Sequence, residues 1–163
     1  MAFLEAIESS ALAQLIIGSI WGFPIAEVAH LCFITVVFGS MVLMDLRLLG
    51  FMKAYPVAML MDLLLKSVWM SFIGATITGA LLFTTMASSY VRDLAFIVKM
   101  ILLLLAACNA LFMHQVAIKR MAFQSEQGMT TTPLIVKISA GFSLSLWVGI
   151  LACGRLIAYF YPY

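Results

Sequence analysis

The sequence predicts an all-α integral membrane protein, a four-helix bundle preceded by an N-terminal amphipathic interfacial helix. Three observations lead there. Hydrophobic residue types make up 65% of the 163 residues and charged types only 10%, whereas a soluble domain is about half apolar and about a quarter charged. The mean hydropathy is +1.15. The apolar residues fall into four runs, each long enough for the roughly 20 residues a helical span needs, and polar turns separate them. Such a chain has too little polar surface to cover a water-facing globule, which excludes a soluble enzyme or a DNA-binding domain. A net charge of +2 is too small to suggest a nucleic-acid partner. At this length a single transmembrane domain over residues 1–163 is expected.

Residues 3–20 set Glu5, Glu8, Ser9 and Gln14 among apolar residues at helical spacing, which predicts a helix lying in the membrane surface. The first charges are acidic, unlike a secretory n-region, so this segment reads as part of the mature protein. Trp21 to Pro24 form a turn with an aromatic anchor. Span 1 is expected over about 24–44, ending at Asp45, Leu46 and Arg47. Span 2 is expected over about 63–85, span 3 over 94–117 and span 4 over 134–160. The polar stretch 124–133 reads as a loop, and Tyr159, Tyr161 and Tyr163 as an aromatic belt. Ser71, Gly74, Ala75, Thr78 and Gly79 make a small-residue seam on span 2, suited to close helix packing. Arg47, Lys53, Lys119 and Arg120 lie in the 1–2 and 3–4 loops, whereas the 2–3 loop holds only Arg92. The excess of basic residues on the cytoplasmic side therefore puts both termini outside; in a Gram-negative inner membrane, outside is the periplasm.

Ionisable groups inside an apolar slab are costly and mark functional sites by default. Here they are Glu27, His30, Lys66, Lys99, His114, Lys137 and Arg155. With a helical rise of about 1.5 Å per residue, His30, Lys99 and Arg155 all fall about 8–9 Å below the outer surface. Glu27 sits one turn above His30, so four ionisable groups from three spans share one layer. His114 lies about 30 Å below the outer end of span 3, too far to grip one cofactor together with His30, and reads as an interfacial histidine.

Imidazole is a common axial ligand of haem iron. A deprotonated lysine amine could supply the opposite ligand, and Arg155 could pair with a haem propionate near the headgroups, with Glu27 as its counterion. Ala106 and Ala110 lie on the Lys99 side of span 3, where small residues would leave room for a flat ring, and Val37, Met41 and Met44 could line one face of it. Two other readings stay open. In the first, Glu27 pairs with Lys99 or Arg155 and His30 bonds a backbone carbonyl, which suits a cofactor-free accessory subunit of a larger membrane complex. The second is copper handling, suggested by twelve methionines. These are scattered, however, and fit bundle packing. Cys32, Cys108 and Cys153 have no metal-ligand spacing and read as small hydrophobes.

The runs EVAHLCFITVVFGSMVLMDLRLLG, WMSFIGATITGALLF, FIVKMILLLLAACNALFMHQ and WVGILACGRLIAYF resemble a family of small, uncharacterised bacterial four-helix membrane proteins. More distantly, the first three spans resemble HemJ-type protoporphyrinogen oxidases and CopD-type copper-handling membrane domains. In the HemJ type an early first-span histidine precedes a small-residue stretch and an Arg-Leu, matched by His30, Gly39 and Arg47-Leu48. A lysine opening its third span before a leucine run is matched by Lys99. The resemblance implies that His30 and Lys99 hold haem b. The HemJ-type tryptophan of span 1 and the polar residues at the end of span 3 are missing, so the resemblance does not extend to oxidase activity. The expected function is a b-type haem protein of the bacterial inner membrane in one-electron transfer near the periplasmic face; if it is an enzyme, the class expected is a haem-dependent oxidoreductase. A quinol or porphyrin-like partner, and a homo-oligomer or a larger membrane complex, are expected with it.

Overall fold

Ser9 and Ser10 interrupt the first apolar segment, and their side chains decide how it folds. The Ser9 hydroxyl donates to the Ala6 carbonyl, and the Ser10 hydroxyl accepts from the Ala13 N–H at 3.3 Å. Hydroxyls of this kind compete with the helical ladder and favour caps. The computed structural model, which describes residues 2–52, 54, 55, 57–113, 115 and 133–160, accordingly shows two short helices, α1 (Ala2–Glu8) and α2 (Ala11–Ile17). This corrects the single helix expected over 3–20.

Four long helices follow: α3 (Gly22–Leu49), α4 (Val57–Thr85), α6 (Leu94–Phe112) and α7 (Leu134–Phe160), with the one-turn α5 (Ala87–Tyr90) between α4 and α6. All four are long and apolar enough to cross a membrane, and no strand occurs among the described residues. The protein is a multi-pass helical membrane protein. α3 runs past the Asp45–Arg47 stop expected for span 1. Asp45 is buried, and Arg47 donates its Nε to the Tyr55 carbonyl. The helix stops instead at Gly50, whose φ of 104° lets its N–H reach the Leu46 and Arg47 carbonyls, a conformation that favours glycine. α4 begins six residues before the expected start of span 2. Asp93 opens α6 by accepting the Ala95 N–H at 2.7 Å. Lys53, His114, residues 116–132 (with Lys119, Arg120 and all but the last residue of the loop expected over 124–133), Tyr161 and Tyr163 lie outside the described residues.

α3 packs against α4 and α7, and α6 packs against α7. Among the described residues, α4 and α6 do not pack along their lengths. Their α5 ends meet in a stack of Phe83, Tyr90 and Phe96, with ring centroids 5.6–6.3 Å apart. α7 is the central helix: 33% of its apolar window is buried, against 11% or less for the other three. Its buried residues Val136, Ser139, Ala140, Ser143, Leu146, Ile150 and Cys153 recur every three or four positions, which places them on one face. Two cores sit along it, Leu48 with Val136 and Ala140, and Ala106 with Leu146 and Ile150.

The N-terminal helices lie against α3, α4 and α5. Glu8 fastens them: its Oε1 accepts from both the backbone N–H and the hydroxyl of Ser88, at 2.7 and 2.6 Å. These bonds hold the Glu8 carboxyl below its ordinary pKa. A carboxyl depressed in the folded state adds stability that is complete above its unfolded pKa and is lost as pH falls through the folded one. The α1–α5 contact should therefore hold at neutral pH and loosen under acid below the ordinary carboxylate range. Limited proteolysis of the N-terminal segment across pH tests this, and Glu8→Ala should give faster cleavage at neutral pH and a flat profile. Persistence of the wild-type profile in the variant would remove Glu8 as the fastener.

Candidate functional site

The small-residue seam of α4 brings α3 within reach. A Cβ at Gly74 would lie 2.6 Å from the Phe33 ring, and one at Gly79 would lie 2.9 Å from Cε1 of His30. The His30 ring thus rests on the bare backbone of Gly79. Its Nδ1 lies 3.0 Å from Oγ1 of Thr78. That hydroxyl has one proton and donates it to its own helix, to the Gly74 carbonyl at 2.7 Å, with the Ala75 carbonyl at 3.3 Å. Thr78 is therefore an acceptor toward His30, and Nδ1 carries the imidazole proton; the ring also bonds the Ala75 backbone, the contact that the cofactor-free reading expects. The lone pair then resides on Nε2, the tautomer in which a second-sphere bond orients a ligating histidine.

Lys99 enters the same layer from α6. Its Nζ lies against α7, 3.8 Å from where a Gly154 Cβ would be, with the buried Cys153 close by. Lys99 lies near enough to His30 for the two groups to interact. Among the described residues Lys99 has no hydrogen-bond or ion-pair partner.

The other two predicted groups sit at the rim. Glu27 is half-buried and its charge acts on Tyr90. Burial, then Glu27, then Asp93 push the Tyr90 phenol above its ordinary pKa. Arg155 is exposed, beside the buried Cys153 that faces Lys99. Among the described residues no ion pair joins Glu27 to Lys99 or to Arg155. Lys66 and Lys137 are exposed.

Two expectations about space are corrected. Ala106 is buried against Leu146 and Ile150, so α7 fills the room expected for a flat ring beside it. Met44 packs on the Leu48–Val136–Ala140 core and lines no cavity there. Open volume lies instead outside Thr78, in an apolar groove of about 390 Å³ between α2, α3 and α4, lined by Leu15, Trp21, Ile25, Ala29, Thr78 and Leu81.

Sequence reasoning missed Thr78, Gly79 and Cys153 as site neighbours because each was explained by packing. The available signal was register: Gly79 lies six residues before the end of α4 and His30 eight after the start of α3, which is one depth in an antiparallel pair. No group of three or more His, Cys, Asp or Glu suited to a metal ion occurs among the described residues.

No curated protein and no solved structure matches this chain. The layer of His30, Thr78, Gly79 and Lys99 falls within residues 3–160, which match a family model, and by that match the chain belongs to the family of unknown function DUF6644.

Proposed function

We propose that this chain is a b-type haem-binding protein of the bacterial inner membrane, acting in one-electron transfer near the periplasmic face. His30 would hold the haem iron, and Lys99 would hold it as well or pair with a propionate. The observation that carries the reading is the His30–Thr78–Gly74 chain of hydrogen bonds, which frees Nε2 in the layer where the Lys99 amine has no hydrogen-bond partner among the described residues. An imidazole and an amine fit a centre that asks the protein for one or two ligands. A copper site built of His, Cys, Asp and Glu would ask for more, and the described residues offer no group of three of these. Haem supplies the one-electron chemistry when bound. The chain supplies ligation, the tautomer and a dry layer. Arg155 and Glu27 stand at the rim, where a propionate would meet the headgroups. The apolar groove beside Thr78 is the surface by which a quinol or porphyrin-like partner would approach. The HemJ-type resemblance read in the sequence would imply the same ligand pair, and the excess of basic residues in the 1–2 and 3–4 loops supports termini on the periplasmic side.

The test is the visible spectrum of the detergent-purified protein, oxidised and then dithionite-reduced, after expression with ample haem. A Soret band with reduced α and β bands, lost in His30→Ala, is expected. A featureless wild-type spectrum sinks the reading in favour of a cofactor-free subunit or, if elemental analysis finds copper, a copper-handling protein. Thr78→Val keeps the shape but removes the acceptor for Nδ1–H. It should weaken haem retention by about 10–100-fold, the usual cost of losing a second-sphere partner, as read by haem-to-protein ratio after competition with apomyoglobin. Unchanged retention would separate Thr78 from the site.

A further inference from the structure

A second buried polar position lies far from His30 on the same helix. Asp45 follows His30 by fifteen residues, about 22 Å along α3 at the helical rise, at the opposite end of the bundle. It is only 5% exposed, and the hydroxyl of Ser143, itself buried on α7, faces its carboxyl. Its Oδ2 is buried without any hydrogen-bond partner. No cation among the described residues compensates it. Arg47 on its own helix is turned to the Tyr55 carbonyl. Asp62 and Lys66 on α4 and Lys137 on α7 are exposed, and none of these, nor Arg155 at the far end of α7, acts on Asp45. α2, the other element packed on α3, carries no charged residue.

An ionised carboxylate in such a place would be a buried charge that no described cation compensates, a strongly disfavoured state. A hard metal cation would remove that cost only with about six oxygen ligands, and among the described residues no group of three or more His, Cys, Asp or Glu gathers there. The ligand that satisfies an isolated buried carboxyl is a proton. We propose that Asp45 is a reversible proton-binding site at the α3–α7 seam. Loaded, the neutral acid closes against Ser143 in the same seam as Leu48, Val136 and Ala140. Unloaded, the carboxylate has to recruit water, and the seam opens at that end. The site uses different residues from the haem layer and holds whether or not haem is bound.

Infrared difference spectroscopy of the purified protein across pH tests it, because a protonated carboxyl has a carbonyl stretch resolved from the carboxylate bands and shifted in D₂O. The expected result is a protonated-carboxyl band at neutral pH in the wild type, lost in Asp45→Asn and lost on raising the pH. Ser143→Ala, which leaves the carboxyl in place, should shift the band without removing it, and serves if Asp45→Asn does not fold. Three results overturn the proposal. Absence of the band at neutral pH in sodium-free buffer means the group is ionised. A band that appears only when sodium is removed means the ligand is a metal cation. A band that persists to strongly alkaline pH means a locked structural acid.

Discussion

Gly79→Val is expected to empty the haem site almost as completely as His30→Ala, although residue 79 would ligate nothing. A Cβ there would lie 2.9, 3.4 and 3.6 Å from Cε1, Nδ1 and Nε2 of His30, so contact runs along the whole edge of the ring. A rigid β-branched side chain cannot turn aside, and the ring must swing off α4. That breaks the Thr78 bond and moves Nε2 together. Haem retention should fall by at least the 10–100-fold typical of a lost second-sphere partner, while overpacking costs about 1–3 kcal/mol of stability. Gly39→Ala and Gly141→Ala are the controls. A Cβ at either meets nothing within 4 Å, so both should keep wild-type retention and stability within about 0.5 kcal/mol. Haem content and thermal midpoint, measured side by side on the three variants, decide the matter. Full retention in Gly79→Val would place the ligand elsewhere.

Gly22→Ala carries the second large effect, on the architecture. Gly22 opens α3 directly after the turn from α2, its N–H donating to the Ser19 carbonyl at 3.1 Å. A Cβ at this position runs into the backbone of Ile16, with the carbonyl oxygen as first contact. Backbone cannot step aside as a side-chain tip can, so the α2–α3 turn must open. Ile16 and Ala13 are the buried residues of α2, and their contacts with the bundle would be lost in the process. A loss of about 1–3 kcal/mol and faster proteolysis before residue 22 are expected, with the helical far-ultraviolet signal unchanged. A variant as resistant as the wild type would show that the N-terminal helices are held by Glu8 alone.

The all-α class and the four helices were legible because composition and run length act over many residues at once, and no local competitor reverses them. Boundaries were less so. Asp45 and Arg47 looked like a stop signal, yet each finds a place within the fold, Asp45 against α7 and Arg47 on the Tyr55 carbonyl, and the true stop is the left-handed Gly50. The break at Ser9–Ser10 rests on two hydroxyl bonds that outweigh a continuous apolar pattern. In the site, the shared depth of His30 and Lys99 follows from helical rise alone. Direction around each helix does not, because it depends on which neighbour lies alongside. Ala106 therefore proved to be core beneath α7, and Arg155 turned outward. Thr78 and Gly79 were visible only as small residues until the register of α3 against α4 gave them a partner.

Among the described residues the order of packing divides the bundle into two hairpins, α3–α4 and α6–α7, that meet along the seam between α3 and α7 and at the Phe83–Tyr90–Phe96 stack. Each hairpin contributes one nitrogen, His30 resting on α4 and Lys99 lying against α7. A ligand that accepts both is a further crosslink between halves that otherwise meet at that seam and that stack. Its departure would leave each hairpin folded and free the angle between them, and the same seam carries Asp45 at its far end. Occupancy at one membrane face would then be felt mechanically at the other, as the ease with which the α3–α7 joint pivots.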